Sequence, residues 1–188
     1  MRRLLLALPI ALLPLTVALA HDDHDHEHGS LGAHEHGVAR LNAVLDGQTL
    51  ELELQSPAMN LIGFEHAASS DADKAKVAAV RKQLEQPLSL FGLAKAAGCT
   101  ETDRKLESPL FGDAPAKDDD GDDEHDHDHS EIHAHYQFTC TAPEKLAQLD
   151  LKPLFTAFPA TQKIQLQLIG PSGQQGIEAT AAKPSVKF

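Results

Sequence analysis

Residues 38–56 read VARLNAVLDGQTLELELQS, with apolar and polar residues alternating on both sides of an Asp-Gly pair. Alternation with a period of two is typical of a strand that buries one face, and Asp-Gly favours a two-residue turn between antiparallel strands. A turn at positions 46–47 pairs Leu45 with Gln48. We therefore predict a β-hairpin whose leucines and alanines lie on one face of a sheet.

Residues 162–182 repeat this pattern around a Gly-Pro-Ser-Gly turn. Counting across that turn places Leu166 opposite Ile177 and Ile164 opposite Ala179. The sequence thus predicts a second hairpin near the C-terminal end of the chain.

Helical patterns lie between the two hairpins. Ser70 is a predicted N-cap, followed by apolar residues at helical spacing and by Pro87 as a stop signal. Thr141 begins a capping-box pattern that predicts a short helix through Leu149. The predicted class is α+β, with hairpins of a mostly antiparallel sheet, short helices and disordered His/Asp-rich segments, and the pattern allows two similar halves.

Composition limits the possible functions. The chain has 188 residues, enough for one modest domain, and carries 28 Asp and Glu against 16 Lys and Arg. Because so negative a surface repels phosphate groups, nucleic-acid partners are disfavoured. A hydrophobic content of 41% is high enough for a folded core.

The N-terminus has the pattern of a secretory signal peptide. Arg2 and Arg3 precede an uncharged stretch at 4–19 that ends in an A-x-A cleavage site. That stretch is short and interrupted by prolines, so we expect no stable membrane insertion, an uncleaved anchor being the alternative. The predicted segments are a signal peptide at 1–20, a His-rich acidic tail at 21–33, a first α+β half at 34–110, an acidic His-rich disordered insertion at 111–130 and a second α+β half at 131–188.

Export to an oxidising compartment decides how the two cysteines are interpreted. Cys99 and Cys140 are 41 positions apart and lack metal-site spacing, so one disulfide is the simplest prediction and a pair of thiolate metal ligands is the alternative. If residues 99–107 and 132–140 form antiparallel strands, Cys99 lies directly opposite Cys140, where a bridge is feasible.

Eleven of the twelve histidines lie in two short windows, residues 21–36 and 125–135. The segments HDDHDHEH at 21–28 and DDDGDDEHDHDH at 118–129 combine imidazole with carboxylate groups, which suit zinc, with copper and nickel as alternatives. Because they lack apolar residues, we predict mobile metal-gathering arms; a solvated acidic run is the alternative. Their candidate metal ligands are His21, His24, His26, His28, His125, His127 and His129.

Two further pairs of histidines have strand spacing. His34 and His36 stand at i and i+2 before the first hairpin, and His133 and His135 repeat the spacing with Glu131 on the same face. In an extended chain such residues project from one face, close enough to share an ion. A zinc site takes three or four protein ligands, and the two pairs supply four. The sequence leaves open whether they converge.

Around these residues the chain resembles a known family. The matching stretches are AHEHG at 33–37, LQSPAMNLIGFEH at 54–66, AGC at 97–99 and YQFTC at 136–140. They are similar to those of the ZrgA-like zinc-regulated periplasmic proteins over about residues 33–180. The resemblance implies a periplasmic zinc-binding protein of Gram-negative bacteria that is produced under zinc limitation and assists an ABC-type importer. By that resemblance the family motifs include His34, His36, Glu65 and His66.

Three classes of function remain. The first is a periplasmic zinc scavenger, buffer or chaperone that supports uptake, with copper or nickel sequestration as its alternative, because an amino-terminal His21 chelates copper well. The second is an enzyme, either a zinc hydrolase or a copper oxidase, and the sequence has neither an H-E-x-x-H nor a G-x-S-x-G pattern. The third is a metal-sensing interaction module. We expect the first class, without enzymatic activity.

Overall fold

The computed structural model describes residues 35–112 and 130–188. The strands in these two stretches are β1 (Val38–Asp46), β2 (Thr49–Pro57), β3 (Cys99–Glu107), β4 (Glu131–Cys140), β5 (Gln148–Asp150), β6 (Lys163–Gly170), β7 (Gly173–Thr180) and β8 (Ser185–Lys187). The helices are α1 (Ala58–Leu61), α2 (Asp71–Leu84), α3 (Pro87–Leu90) and α4 (Lys152–Ala157), with short 3₁₀ helices at Lys95–Ala97, Pro109–Phe111 and Pro143–Lys145.

Six of these strands form one mixed sheet in the order β3-β4-β2-β1-β6-β7. The pairing of β1 with β6 is parallel, and the other four pairings are antiparallel. Strands β5 and β8 form a separate antiparallel ribbon. The α+β class is confirmed. The sheet is mixed, and β4 lies between β2 and β3.

The first predicted hairpin forms, but its predicted register is wrong by two residues. Gly47 and Gln48 make the turn, with Gly47 at φ = 56°, so Leu45 lies opposite Leu50 rather than Gln48. This shift leaves every apolar side chain on the same face, so the hydrophobic pattern cannot distinguish the two registers. The glycine takes the first loop position because it adopts a positive φ without steric cost.

Two other predicted pairings are confirmed. In the β6–β7 hairpin, Leu166 lies opposite Ile177. Strands β3 and β4 are antiparallel with Cys99 opposite Cys140, and the two cysteines form a disulfide. The alternative of two thiolate metal ligands is therefore excluded.

The predicted N-cap of α2 is also confirmed. Ser70 Oγ accepts a hydrogen bond from Asp73 N, while Asp73 Oδ2 accepts one from Ser70 N. The side-chain hydrogen bond with Ser70 lowers the pKa of Asp73. The helix ends at Leu84, before Pro87.

The helix predicted from Thr141 through Leu149 is wrong. Thr141 Oγ1 donates to Gly98 O instead of capping a helix, and Thr141 N donates to the same oxygen. The chain makes one short 3₁₀ helix at Pro143–Lys145 and then enters β5, where Leu149 is fully buried. Continued backbone pairing beyond β4 therefore overrides the local capping pattern.

The sheet has one apolar and one polar face. The apolar face forms the core with the helices; the buried Tyr136 hydroxyl donates to Leu84 O at 2.9 Å, and its ring packs edge-on against Phe91. Burial raises the pKa of Tyr136. We call the other face the open face; its exposed or half-buried side chains include Arg40, Asn42, Glu51, Glu53, Gln55, His133, His135 and Gln137. Among the described residues, no helix is long and apolar enough to cross a membrane.

Candidate metal sites

His36 and Glu65 meet at the end of the sheet where β1 begins. His36 Nε2 is 3.2 Å from Glu65 Oε1, although the residues are 29 positions apart. The His36 side chain is 52% exposed, whereas that of Glu65 is 11% exposed. Zinc binds imidazole nitrogen and carboxylate oxygen at roughly 2.0–2.2 Å, which places neighbouring ligands of a tetrahedral ion about 3.3 Å apart. The pair therefore has the spacing of two ligands of one zinc ion.

Asn60 fixes the backbone that carries His36. Its Oδ1 accepts a hydrogen bond from Gly37 N at 2.6 Å, and its Nδ2 donates to Val38 O at 2.9 Å and to Ser56 Oγ at 3.2 Å. Asn60 is only 2% exposed. Because a buried amide with three partners has little freedom, it holds the start of β1 in one position.

Ser130 fixes the backbone that carries Glu65. The Ser130 hydroxyl donates to Glu65 O at 3.0 Å, and Ser130 O accepts from Ala58 N at 2.8 Å. Ser130 is also the first described residue after the gap at 113–129. The predicted His-rich insertion therefore rejoins the described chain directly beside Glu65.

His66 is oriented by a different set of contacts. Its ring stacks on Phe64 with centroids 4.6 Å apart, and its Nδ1 is 3.1 Å from Ala67 O. Because a carbonyl only accepts hydrogen bonds, Nδ1 carries the proton and Nε2 carries the lone pair that a metal needs. The contact with Ala67 thus leaves Nε2 as the nitrogen of His66 that can bind a metal, although His66 is not part of the His36–Glu65 pair.

A second histidine–carboxylate pair lies on the open face of β4. His133 Nε2 is 3.3 Å from Glu131 Oε2, which also accepts a hydrogen bond from Gln55 Nε2 at 3.1 Å. The hydrogen bond with Glu131 raises the pKa of His133, and the negative charges of Glu107 and Glu53 act in the same direction.

His135 lies two residues further along β4, on the same face. It is opposite Glu53 of β2 and opposite Lys105 of β3. Lys105 Nζ is 2.9 Å from Glu107 Oε1, so this cation is paired with a carboxylate.

The structure keeps the His36 pair and the His133 pair apart. Among the described residues, no three His, Cys, Asp or Glu side chains are close enough as placed to hold one metal ion. The predicted ligand His34 lies outside the described residues. The same holds for the candidate ligands of the predicted arms, His21, His24, His26, His28, His125, His127 and His129.

Sequence reasoning missed the residues that support these pairs. Asn60 and Ser130 are buried polar residues. The position of Asn60 within the apolar stretch 58–62 is a signal that indicates a structural hydrogen bond, whereas Ser130 lies between His129 and Glu131 and has no such signal. Glu53 was missed as a neighbour of His135 because only the observed register of β2 and β4 places these two residues opposite each other.

The fold is that of an α+β protein, and its two histidine–carboxylate pairs are candidate sites for a divalent metal ion. The chain belongs to the ZrgA family of zinc uptake proteins, whose family model matches residues 33–188. The match spans both described stretches and confirms the resemblance seen in the sequence. The protein therefore has a role in zinc uptake. Among curated proteins, none matches the sequence.

Proposed function

We propose that the protein binds Zn²⁺ in the periplasm as a scavenger, buffer or chaperone and supports its uptake by an ABC-type importer, without catalysing a reaction. The observation that carries this proposal is the His36–Glu65 pair, with one nitrogen and one oxygen ligand 3.2 Å apart. His34, two residues before His36, would supply a further imidazole, and His66 Nε2 is a candidate for another.

The disulfide supports the proposed location. Cys99 and Cys140 are the two cysteines of the chain, and they are bonded to each other. Structural disulfides persist in oxidising compartments such as the bacterial periplasm. This agrees with the signal-peptide pattern at residues 1–20, which lies outside the described stretches.

The places where the His-rich segments join the described chain support a role for them in capture. The described chain begins at Glu35, next to His36, and it resumes after the predicted insertion at Ser130, which bonds to Glu65. A ligand tethered this close to a site acts at a high effective concentration, of millimolar order for a short flexible linker. We propose that these segments collect zinc and pass it to the His36–Glu65 pair.

Copper or nickel sequestration is the alternative. Imidazole ligands bind Cu²⁺ more tightly than Zn²⁺, so availability and geometry must select the metal. The family assignment supports zinc.

Zinc titration of the full-length protein against a competing fluorescent chelator tests the proposal. We expect His36→Ala to remove the tightest class of sites and Glu65→Gln to weaken it at least tenfold. Glu178→Gln is the matched control, because Glu178 is an exposed carboxylate in an ion pair with Lys163 and undergoes the same change of charge. An unchanged tight class in both site variants would overturn the proposal.

A growth assay tests the capture role. Deleting residues 21–33 and 113–129 should slow growth only when zinc is scarce, because the capture segments matter only at low free zinc. The double substitution His34→Ala, His36→Ala should slow growth more than either deletion. Equal growth of all strains under zinc limitation would contradict the proposed division of labour.

A further inference from the structure

We infer that the open face carries a second divalent-metal site, formed by His133 and His135 of β4 with Glu131 and Glu53 as carboxylate ligands. This site is separate from the His36–Glu65 pair on which the proposed function rests. The argument depends on the register of three neighbouring strands.

The two histidines are held on a rigid support. Strand β4 lies between β2 and β3 and is hydrogen-bonded to both, so its backbone is fixed on either side. His133 and His135 are both half-buried and project from the same face. Residues two apart in a strand are about 6.6 Å apart along the chain, a separation at which two imidazoles can bind one ion.

Glu131 already lies at ligand spacing from His133. The 3.3 Å between Glu131 Oε2 and His133 Nε2 equals the separation of neighbouring ligands around tetrahedral zinc, about 3.3 Å. Gln55 Nε2 donates to Glu131 Oε2 and orients the carboxylate. Such outer hydrogen bonds typically hold metal-binding carboxylates in place.

Glu53 supplies the second carboxylate from the adjacent strand. It lies directly opposite His135, a relationship that brings Cβ atoms of antiparallel strands within about 4.5–5.5 Å. In the metal-free protein, Asn42 Nδ2 of β1 donates to Glu53 Oε2 at 3.1 Å from the side of β2 opposite to β4, so Glu53 must give up this hydrogen bond to bind a metal beside His135. Binding requires the side chains of His135 and Glu53 to turn toward the His133–Glu131 pair, while the backbone stays in place.

The ligand chemistry selects the class of metal. Two imidazole nitrogens with carboxylate oxygens suit Zn²⁺, Cu²⁺ and Ni²⁺, whereas Ca²⁺ and Mg²⁺ prefer oxygen ligands.

Carbethoxylation of histidines by diethyl pyrocarbonate, mapped by peptide mass spectrometry, reads each histidine of the full-length protein separately. We expect Zn²⁺ to slow modification of both His133 and His135 at least tenfold and Mg²⁺ at the same concentration to have little effect. Equal modification rates with and without Zn²⁺, or equal protection by Mg²⁺, would overturn the inference.

Variants establish the ligands and the independence of the site. Glu131→Gln and Glu53→Gln should each raise at least threefold the Zn²⁺ concentration that gives half-protection of His133, and Glu178→Gln should not. Unchanged half-protection in both site variants would refute the assigned ligand set. Protection of His133 and His135 should persist in His36→Ala, and its loss there would refute a separate site. The proposed function is tested separately. It fails if the tightest class of zinc sites is unchanged when His36→Ala is titrated with zinc.

Discussion

Asn60 Oδ1 accepts a hydrogen bond from Gly37 N at 2.6 Å, so a buried side chain of α1 fixes the residue that follows His36. Glu65 lies four residues after the end of α1, and its backbone is bonded to Ser130. The His36 imidazole is thus half-exposed and the Glu65 side chain largely buried, and hydrogen bonds from Asn60 and Ser130 hold the backbone beside each of them. Such support is what keeps a metal site in its binding geometry.

Replacing Asn60 should weaken the fold beside the candidate site. Asn60→Ala leaves the buried Gly37 N–H without its acceptor, which should lower the free energy of unfolding by about 1–3 kcal/mol. Urea denaturation of the metal-free protein measures this loss. Asn42→Ala is the control, because Asn42 is exposed and should cost about 0.5 kcal/mol or less. Equal losses in the two variants would contradict the assigned role of Asn60.

A side chain at Gly37 should destabilise the fold. Its φ is +87°, and an added Cβ would lie 3.1 Å from Gln162 Cδ. We expect Gly37→Ala to lower the free energy of unfolding by about 2 kcal/mol, from the backbone conformation and the contact together. Gly47→Ala is the matched control, because Gly47 also has a positive φ but has nothing within 4 Å of an added Cβ. The same urea series should show a larger loss for Gly37→Ala, and a smaller one would refute the close-contact argument.

The sequence predicts most of the sheet because its apolar residues alternate strictly. This pattern locates β1, β2, β6 and β7, and the pair of cysteines locates β3 against β4. The register of the first hairpin is not predictable in this way, since a shift of two residues buries the same leucines. The failed helix after Thr141 has a similar origin, because its hydroxyl bonds to Gly98, a partner 43 residues away.

The candidate site is only partly predictable, for the same reason. Histidine spacing indicates His36 and His133 as ligands. The carboxylate that pairs with His36 comes from a distant part of the chain, and the contact of Glu131 with His133 depends on side-chain rotamers. Glu65 pairs with His36 through a loop whose course the pattern does not specify. Glu53 lies beside His135 only in the observed register of β2 and β4.

The pKa of His133 should be raised in the metal-free protein. Its hydrogen bond to Glu131 stabilises the imidazolium, so the histidine should titrate above the ordinary value of about 6.5, and Glu131→Gln should move it back. The pair then stabilises the fold below about pH 6.5, and this contribution disappears as pH rises through the raised pKa. Titration of the imidazole signals by NMR measures the shift. A lower pKa in the native protein than in Glu131→Gln would contradict the assignment.

Removing the disulfide should destabilise the fold but spare the zinc pair. For a loop of about 40 residues, the chain-entropy model gives about 4 kcal/mol, which the double variant Cys99→Ser, Cys140→Ser should lose in urea denaturation. Cys140 lies at one end of β4, and Glu131 lies at the other end, roughly 30 Å away, next to Ser130, whose hydroxyl bonds to Glu65 O. Zinc affinity measured where the variant is folded should therefore be unchanged. Loss of tight zinc binding by a folded variant would contradict this separation.

Diffraction from zinc-grown crystals of the protein, collected on both sides of the zinc absorption edge, tests the central claim most directly. The anomalous difference map locates each bound zinc ion without reference to the side chains. The account predicts a peak at roughly 2.0–2.2 Å from both His36 Nε2 and a Glu65 carboxylate oxygen. Fully occupied zinc elsewhere in the protein, with no peak between His36 and Glu65, would contradict it.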